Sequence, residues 1–188
     1  MALQDIQKNR KIIKLYHGTP IKNITKFDLS KSRNILDFGK GIYFTTNEKQ
    51  AMLWAIKKSK YGVVYEVLID ISQLNIKQFL TYSNEFIETF CYCRAGMEEY
   101  TSISEYEAVY GYVVDNNKQS IVKYTNDFVT GKASHAAVRN NITVIDSMDQ
   151  ICIKSQEVLD NIKIHRASEV EWIEGYNKNS LEAVKWRK

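Results

Sequence analysis

Proline occurs once, at Pro20, and glycine only eight times in the 188 residues. With no Gly/Ser-rich or Pro-rich tract and no internal repeat there is no linker at which to divide the chain, so a single domain spanning 1–188 is expected. That length is enough to bury a core without staples. There are three cysteines, an odd number that argues against a disulfide framework and suits a reducing compartment. Cys91 and Cys93 stand two apart, where helical side chains diverge, and no second Cys/His pair follows at ligand spacing, so no metal is expected. No apolar run approaches the ~18 residues of a membrane span, so no membrane partner is expected. The opening "MALQDIQKNRKIIKLYHG" mixes acid, amide and base where a secretory signal needs an unbroken apolar stretch, and a cytoplasmic location follows. The net charge of +4 is spread without a long block of one sign, which permits a nucleic-acid partner without demanding one.

What is present is a series of short elements. Ile12 to Tyr16 reads as a strand ending in a His-Gly turn, and Ile42 to Thr45 as a second strand after the glycine-flanked turn Gly39-Lys40-Gly41. From Asn47 to Lys60 the pattern is helical: Thr45 and Glu48 have capping-box spacing, Ala51, Met52, Ala55 and Ile56 form a stripe, and Lys57, Lys58 and Lys60 suit a C-terminus before Gly62. Val63 to Ile71 alternates as a strand, and helices are predicted near Asn84 to Arg94 and Ser104 to Tyr110. Ser120 to Val129 is predicted as a strand, Gln150 to Ser155 as a short buried one, and "QEVLDNIKI" as helical or mixed. The stretch 166–188, with Trp172, Ile173 and Trp186 among charges, is predicted as an amphipathic surface helix. Strands and helices that do not alternate regularly argue for an α+β fold.

"LYHGT" at Leu15 to Thr19 followed by "FGKGIYFTT" at Phe38 to Thr46 resembles the paired signature of the ADP-ribosyltransferase superfamily, above all its poly(ADP-ribose) polymerase-like branch. The layout, with "NDFVTGKAS" and "DQICIKS", also resembles a bacterial family of unknown function assigned to that fold. The resemblance implies a split β-sheet core with flanking helices and NAD as substrate. NAD is used there as a glycosyl donor: the ribose to nicotinamide bond breaks through an oxocarbenium-like state, so the site must clamp the ligand and shield the cation from water.

By the same resemblance, His17 bonds a ribose hydroxyl of the adenosine half, the main chain at Gly18 grips the carboxamide, a glycine allowing close approach, and Thr19 is a further cofactor-binding candidate. Tyr43 lays its ring on the nicotinamide. Trp54, eleven residues after Tyr43, closes the sandwich from the other side or serves as a core aromatic. Ala51 stands where the branch often has a small hydroxyl residue. Arg33 is the candidate for the pyrophosphate, since a guanidinium fork suits phosphate oxygens. The family's late-strand glutamate is matched by Gln150, which accepts a hydroxyl hydrogen bond but brings no charge and no general base. Gln150 has a second reading, as a residue that satisfies a buried backbone group. Asp149 supplies a carboxylate only if the strand slips by one residue.

A glutamine at that position disfavours chain elongation, so the expectation is an NAD-dependent mono-ADP-ribosyltransferase acting on a macromolecule, protein before nucleic acid. The resemblance implies a bacterial toxin or effector with a neutralising antitoxin partner. Two alternatives stand beside it: a non-catalytic NAD or ADP-ribose-binding module, and an RNA phosphotransferase of the same fold, for which only Arg33 and Lys40 lie near the motifs. Lys132 and Ser134 are candidates for an acceptor site, and Tyr82 to Asn117 is where target contacts are expected. His135 and His165 read as ordinary polar residues.

Overall fold

The structure is a computed structural model and describes residues 12–115 and 120–187. The N-terminal stretch examined for a secretory signal therefore lies, up to residue 11, outside the described residues. The elements run β1 (Ile12–Thr19), β2 (Ile42–Phe44), α1 (Glu48–Ile56), β3 (Tyr61–Asp70), β4 (Ile76–Gln78), α2 (Asn84–Arg94), β5 (Ala108–Val114), α3 (Ser120–Val129), α4 (His135–Asn141), β6 (Val144–Ile153), α5 (Gln156–Asn161), β7 (Lys163–Trp172) and β8 (Val184–Trp186). The strands form two sheets, β1-β3-β7-β8 and β2-β6-β5-β4. The fold is α+β. No helix among the described residues is long and apolar enough to cross a membrane.

The chain divides into two compact units. One takes its described residues from the chain up to Phe27, from Tyr43–Leu74 and from Glu157 onward; the other comprises Asp28–Ile42 and Asn75–Gln156.

In the first unit β3 is an inner strand, antiparallel to β1 and β7. The register Ile13↔Ile69, Leu15↔Val67 and His17↔Tyr65 sets these pairs on one face, because cross-strand partners share a side. Phe27 and Phe44 are buried with them. The other face takes α1, where a Cβ on Gly18 would lie 1.7 Å from the Ala51 carbonyl oxygen and one on Gly62 2.4 Å from that of Ala55. Two glycines thus let helix and sheet meet main chain to main chain. Helix α1 is capped by Asn47, whose side chain accepts the Gln50 N–H, while the Thr45 hydroxyl accepts the N–H of Asn47. The predicted Thr45/Glu48 capping box is thereby replaced by an Asn cap. The helix closes at Ile56, so the lysines follow it rather than filling its last turn.

In the second unit β5 lies between β4 and β6. Phe38 stacks on Phe79 at 5.7 Å, and Phe86 of α2 meets both rings edge-on. A Cβ on Gly111 would lie 2.7 Å from the Phe38 ring, so the glycine of β5 makes room for that aromatic. Helix α2 matches its predicted span, with Ser83 accepting the Phe86 N–H at its start.

Four predicted elements are corrected. β1 does not turn at His17 but continues to Thr19. The predicted helix at Ser104 to Tyr110 is a short 3-10 turn, Ser102–Glu105, followed by β5. Ser120–Val129 is helical: Ile121 and Thr125 are buried while Val122 and Lys123 between them are exposed, a period that fits a helix and not a strand. The predicted surface helix at 166–188 is replaced by β7 and β8, because strands on both sides of β7 supply its backbone bonds and tertiary pairing overrides local preference.

Candidate active site

His17, Gly18, Thr19, Tyr43 and Trp54 all belong to the first unit, Arg33 and Gln150 to the second. β1 is the edge strand of its sheet. On its outer side, among the described residues, only an isolated bridge pairs with it, Tyr16 N–H donating to the Thr45 carbonyl at 2.9 Å and Thr45 N–H returning to the Tyr16 carbonyl at 3.0 Å. An antiparallel strand turns alternate residues' N–H and C=O to opposite edges. Those of Gly18 therefore point to the same outer edge as those of Tyr16, and no strand among the described residues covers them there. This is a main-chain donor and acceptor set side by side, the pattern a primary carboxamide complements. The glycine is also required by packing: its hydrogen faces Ala51 of α1, so the helix excludes a side chain.

His17 is fixed by its neighbours. Its Nδ1 lies 2.8 Å from the Tyr43 carbonyl, which only accepts, so Nδ1 carries the proton and Nε2 holds a lone pair. Phe27 and Phe44 flank the ring at 5.3 and 5.6 Å. Burial pushes the His17 pKa down, and the bond to Tyr43 offsets this only in part. The imidazole is thus a neutral acceptor suited to a hydroxyl donor. Behind it, the Tyr65 hydroxyl donates to the Ile21 carbonyl at 3.2 Å and accepts the Ile24 N–H at 3.0 Å, fixing the segment that follows β1. The Thr19 hydroxyl accepts the Ile21 N–H at 3.2 Å, so it stabilises that same turn. Tyr43 is half-buried on β2, and Trp54 half-buried on α1.

Gln150 lies within the second unit. It is 4% exposed, and its amide nitrogen donates to the Asp37 carboxylate and to the Tyr112 carbonyl, each at 2.8 Å. Both partners are acceptors, which fixes the amide orientation and spends both N–H groups inside the second unit. Of its two readings from sequence, the geometry favours the buried, satisfied polar group. Asp37 also accepts from Arg94. A glutamate at 150 would set a second carboxylate against Asp37, so the amide is what this position needs. Asp149 pairs with Tyr112 and Gln150 with Gly111, on opposite faces of β6. Arg33 is exposed, in a stretch without regular structure. The Ser134 hydroxyl, a candidate acceptor-site group, caps α4 by accepting the Ala137 N–H.

Other polar groups were not singled out from sequence. Glu66, 4% exposed, sits opposite Tyr16 in the β1–β3 register and forms ion pairs with Lys14 and Arg166 at 3.2 and 3.3 Å. Its single signal was a charge inside an apolar strand. In the second unit Lys154 pairs with Glu98 at 2.7 Å. The cysteines are all buried and none is in a disulfide; burial pushes the Cys91 thiol up to about 12 and raises that of Cys93, so neither is an activated nucleophile. No metal-binding cluster of His, Cys, Asp and Glu occurs among the described residues.

Comparison with known families matches residues 13–164 to a family described as "Protein of unknown function (DUF3990)". No curated protein matches the chain. The match covers most of the sequence, and the chain belongs to that family.

Proposed function

We propose that this chain is a mono-ADP-ribosyltransferase that takes NAD as substrate and transfers one ADP-ribose to a macromolecular acceptor, a protein before a nucleic acid. The observation that carries the reading is the pairing, at the end of one edge strand, of a neutral His17 with an accepting Nε2 and the outward main-chain N–H and C=O of Gly18. The first suits a ribose hydroxyl, the second a nicotinamide carboxamide, and Tyr43, whose carbonyl orients His17, supplies an aromatic face.

In this reading the protein accelerates the reaction by holding NAD rather than by proton transfer. Nicotinamide leaves neutral, the ribose becomes oxocarbenium-like, and the acceptor's nucleophile adds to C1′ while losing its proton. Gln150 acts as scaffold, and without a carboxylate to activate a sugar hydroxyl the reaction stops at one unit.

A specific observation also supports a second reading, an NAD or ADP-ribose-binding module without catalysis: Gln150 has both amide hydrogens engaged inside its unit. Nicotinamide release from NAD by purified protein, with and without cell lysate, separates the two. Release that rises with lysate as label enters macromolecules supports the transferase. Saturable NAD binding with no release under either condition supports the module.

A further inference from the structure

The turn Phe38-Gly39-Lys40-Gly41, which leads through Ile42 into Tyr43, is held by two residues far from it in sequence. The Lys154 ammonium donates to the Phe38 carbonyl at 2.9 Å and the Lys40 carbonyl at 2.8 Å, and contacts Glu98 Oε1 at 2.7 Å. Its side chain is 8% exposed. Glu98 closes the loop from the other end, its Oε2 accepting the Lys40 N–H at 2.8 Å. The carboxylate also lies beneath Gly39, where a Cβ would come within 1.8 Å of Oε2, and Gly39 is left-handed at φ +67°. Gly41 sits against Cys152, a Cβ there falling 2.1 Å from Sγ. Both glycines thus admit the groups beneath the turn, one through conformation and both through space.

The ammonium has three acceptors and the carboxylate two donors, with Lys154 nearly buried and Glu98 partly exposed. A partly buried ion pair contributes little net stability over an apolar pair, but it fixes a single arrangement of the groups it bonds. Here those groups are the main-chain atoms of the turn. Charge-assisted bonds to two carbonyls and one N–H hold the backbone that sets where β2 begins.

We propose that Glu98 and Lys154 are positioning residues for the Gly39-Lys40-Gly41 turn, and through it for Tyr43. The catalytic part of this assignment rests on the NAD-transferase reading; the structural part does not. The two residues touch no substrate in this account. They set the entry to β2, and so act on NAD affinity more than on the chemical step.

The test uses full-length Lys154→Met and Glu98→Gln beside Lys154→Arg, with a thermal midpoint for each, amide exchange by NMR, and steady-state NAD cleavage. Losing charge-assisted bonds of this kind should raise exchange at the Lys40 and Gly41 amides and KM for NAD by about tenfold or more, with kcat within about threefold. Lys154→Arg, which retains donors, should recover part of both. If Lys154→Met does not fold, Glu98→Gln, which keeps size and an acceptor, decides alone. Unchanged exchange at Lys40 and Gly41, or exchange raised equally throughout the second unit, overturns the proposal. If wild type neither binds nor cleaves NAD, the functional reading fails while the exchange data still judge the clamp.

Discussion

The side-chain amide of Gln150 donates to the carboxylate of Asp37 at 2.8 Å, joining β6 to a residue 113 positions earlier in the chain. Asp37 opens the same "DFGKG" segment whose glycines form the clamped turn. Gln150 is therefore part of how that segment is fixed in its unit.

Gln150→Glu should destabilise the protein by about 2–3 kcal/mol at pH 7, because it exchanges a donor for a like charge at a buried site. Burial and Asp37 raise the folded pKa of the new carboxyl above its unfolded value of about 4.3. The deficit is then full above the folded pKa and fades as pH falls through it. Urea denaturation at pH 7 and pH 5 checks this; an equal deficit at both would contradict it. The substitution should not raise transfer of ADP-ribose.

Gly18→Ala should cost more than about 3 kcal/mol or prevent folding, since its Cβ would fall 1.7 Å from the Ala51 carbonyl oxygen, a main-chain atom that moves only with α1. Gly131→Ala provides the contrast. That glycine is left-handed at φ +73° with open space around it, so only conformational strain of about 1–2 kcal/mol applies. Denaturant midpoints that fall equally for both would count against the packing argument.

The depressed pKa of His17 has a sign that can be followed. The unfolded imidazole, with its ordinary pKa of about 6.5, binds a proton before the folded one does. Stability tied to His17 is thus present above that value and lost as pH falls from it toward the lower folded pKa. His17→Gln should remove this acid-side loss, seen as a shallower fall in thermal midpoint between pH 6.5 and pH 5. Identical slopes in the two proteins would show that His17 is not held neutral by burial.

Legibility from sequence followed locality. Helix α2 was read over its full span, and the structure shows why local reasoning suffices there: Ser83 caps it, and Phe86, Ile87 and Phe90 lie on its buried side. Ser120–Val129 was misread because Ile121, Val122, Thr125 and Val129 are β-branched, while the helical period of burial outweighs that preference in the folded chain. β7 and β8 were missed because their bonds come from β3 and from each other, and the local pattern of exposure along β7 does not alternate. In the candidate site, His17, Gly18 and Tyr43 were picked out by their motifs, and the structure adds the link from Nδ1 to the Tyr43 carbonyl that joins the two motifs directly. The surroundings of Gln150, Glu98 and Lys154 were not legible, because Asp37 and the turn they hold are distant in sequence and no spacing rule connects them.

The most direct measurement is the affinity of the purified chain for NAD by calorimetric titration, comparing wild type with His17→Ala, Tyr43→Ala and His135→Ala. Saturable one-to-one binding that weakens about tenfold or more in the His17 and Tyr43 variants and is unchanged in His135→Ala is the expected result. Equal binding by all four proteins, or none by folded wild type, would contradict an NAD site at the His17 and Gly18 edge.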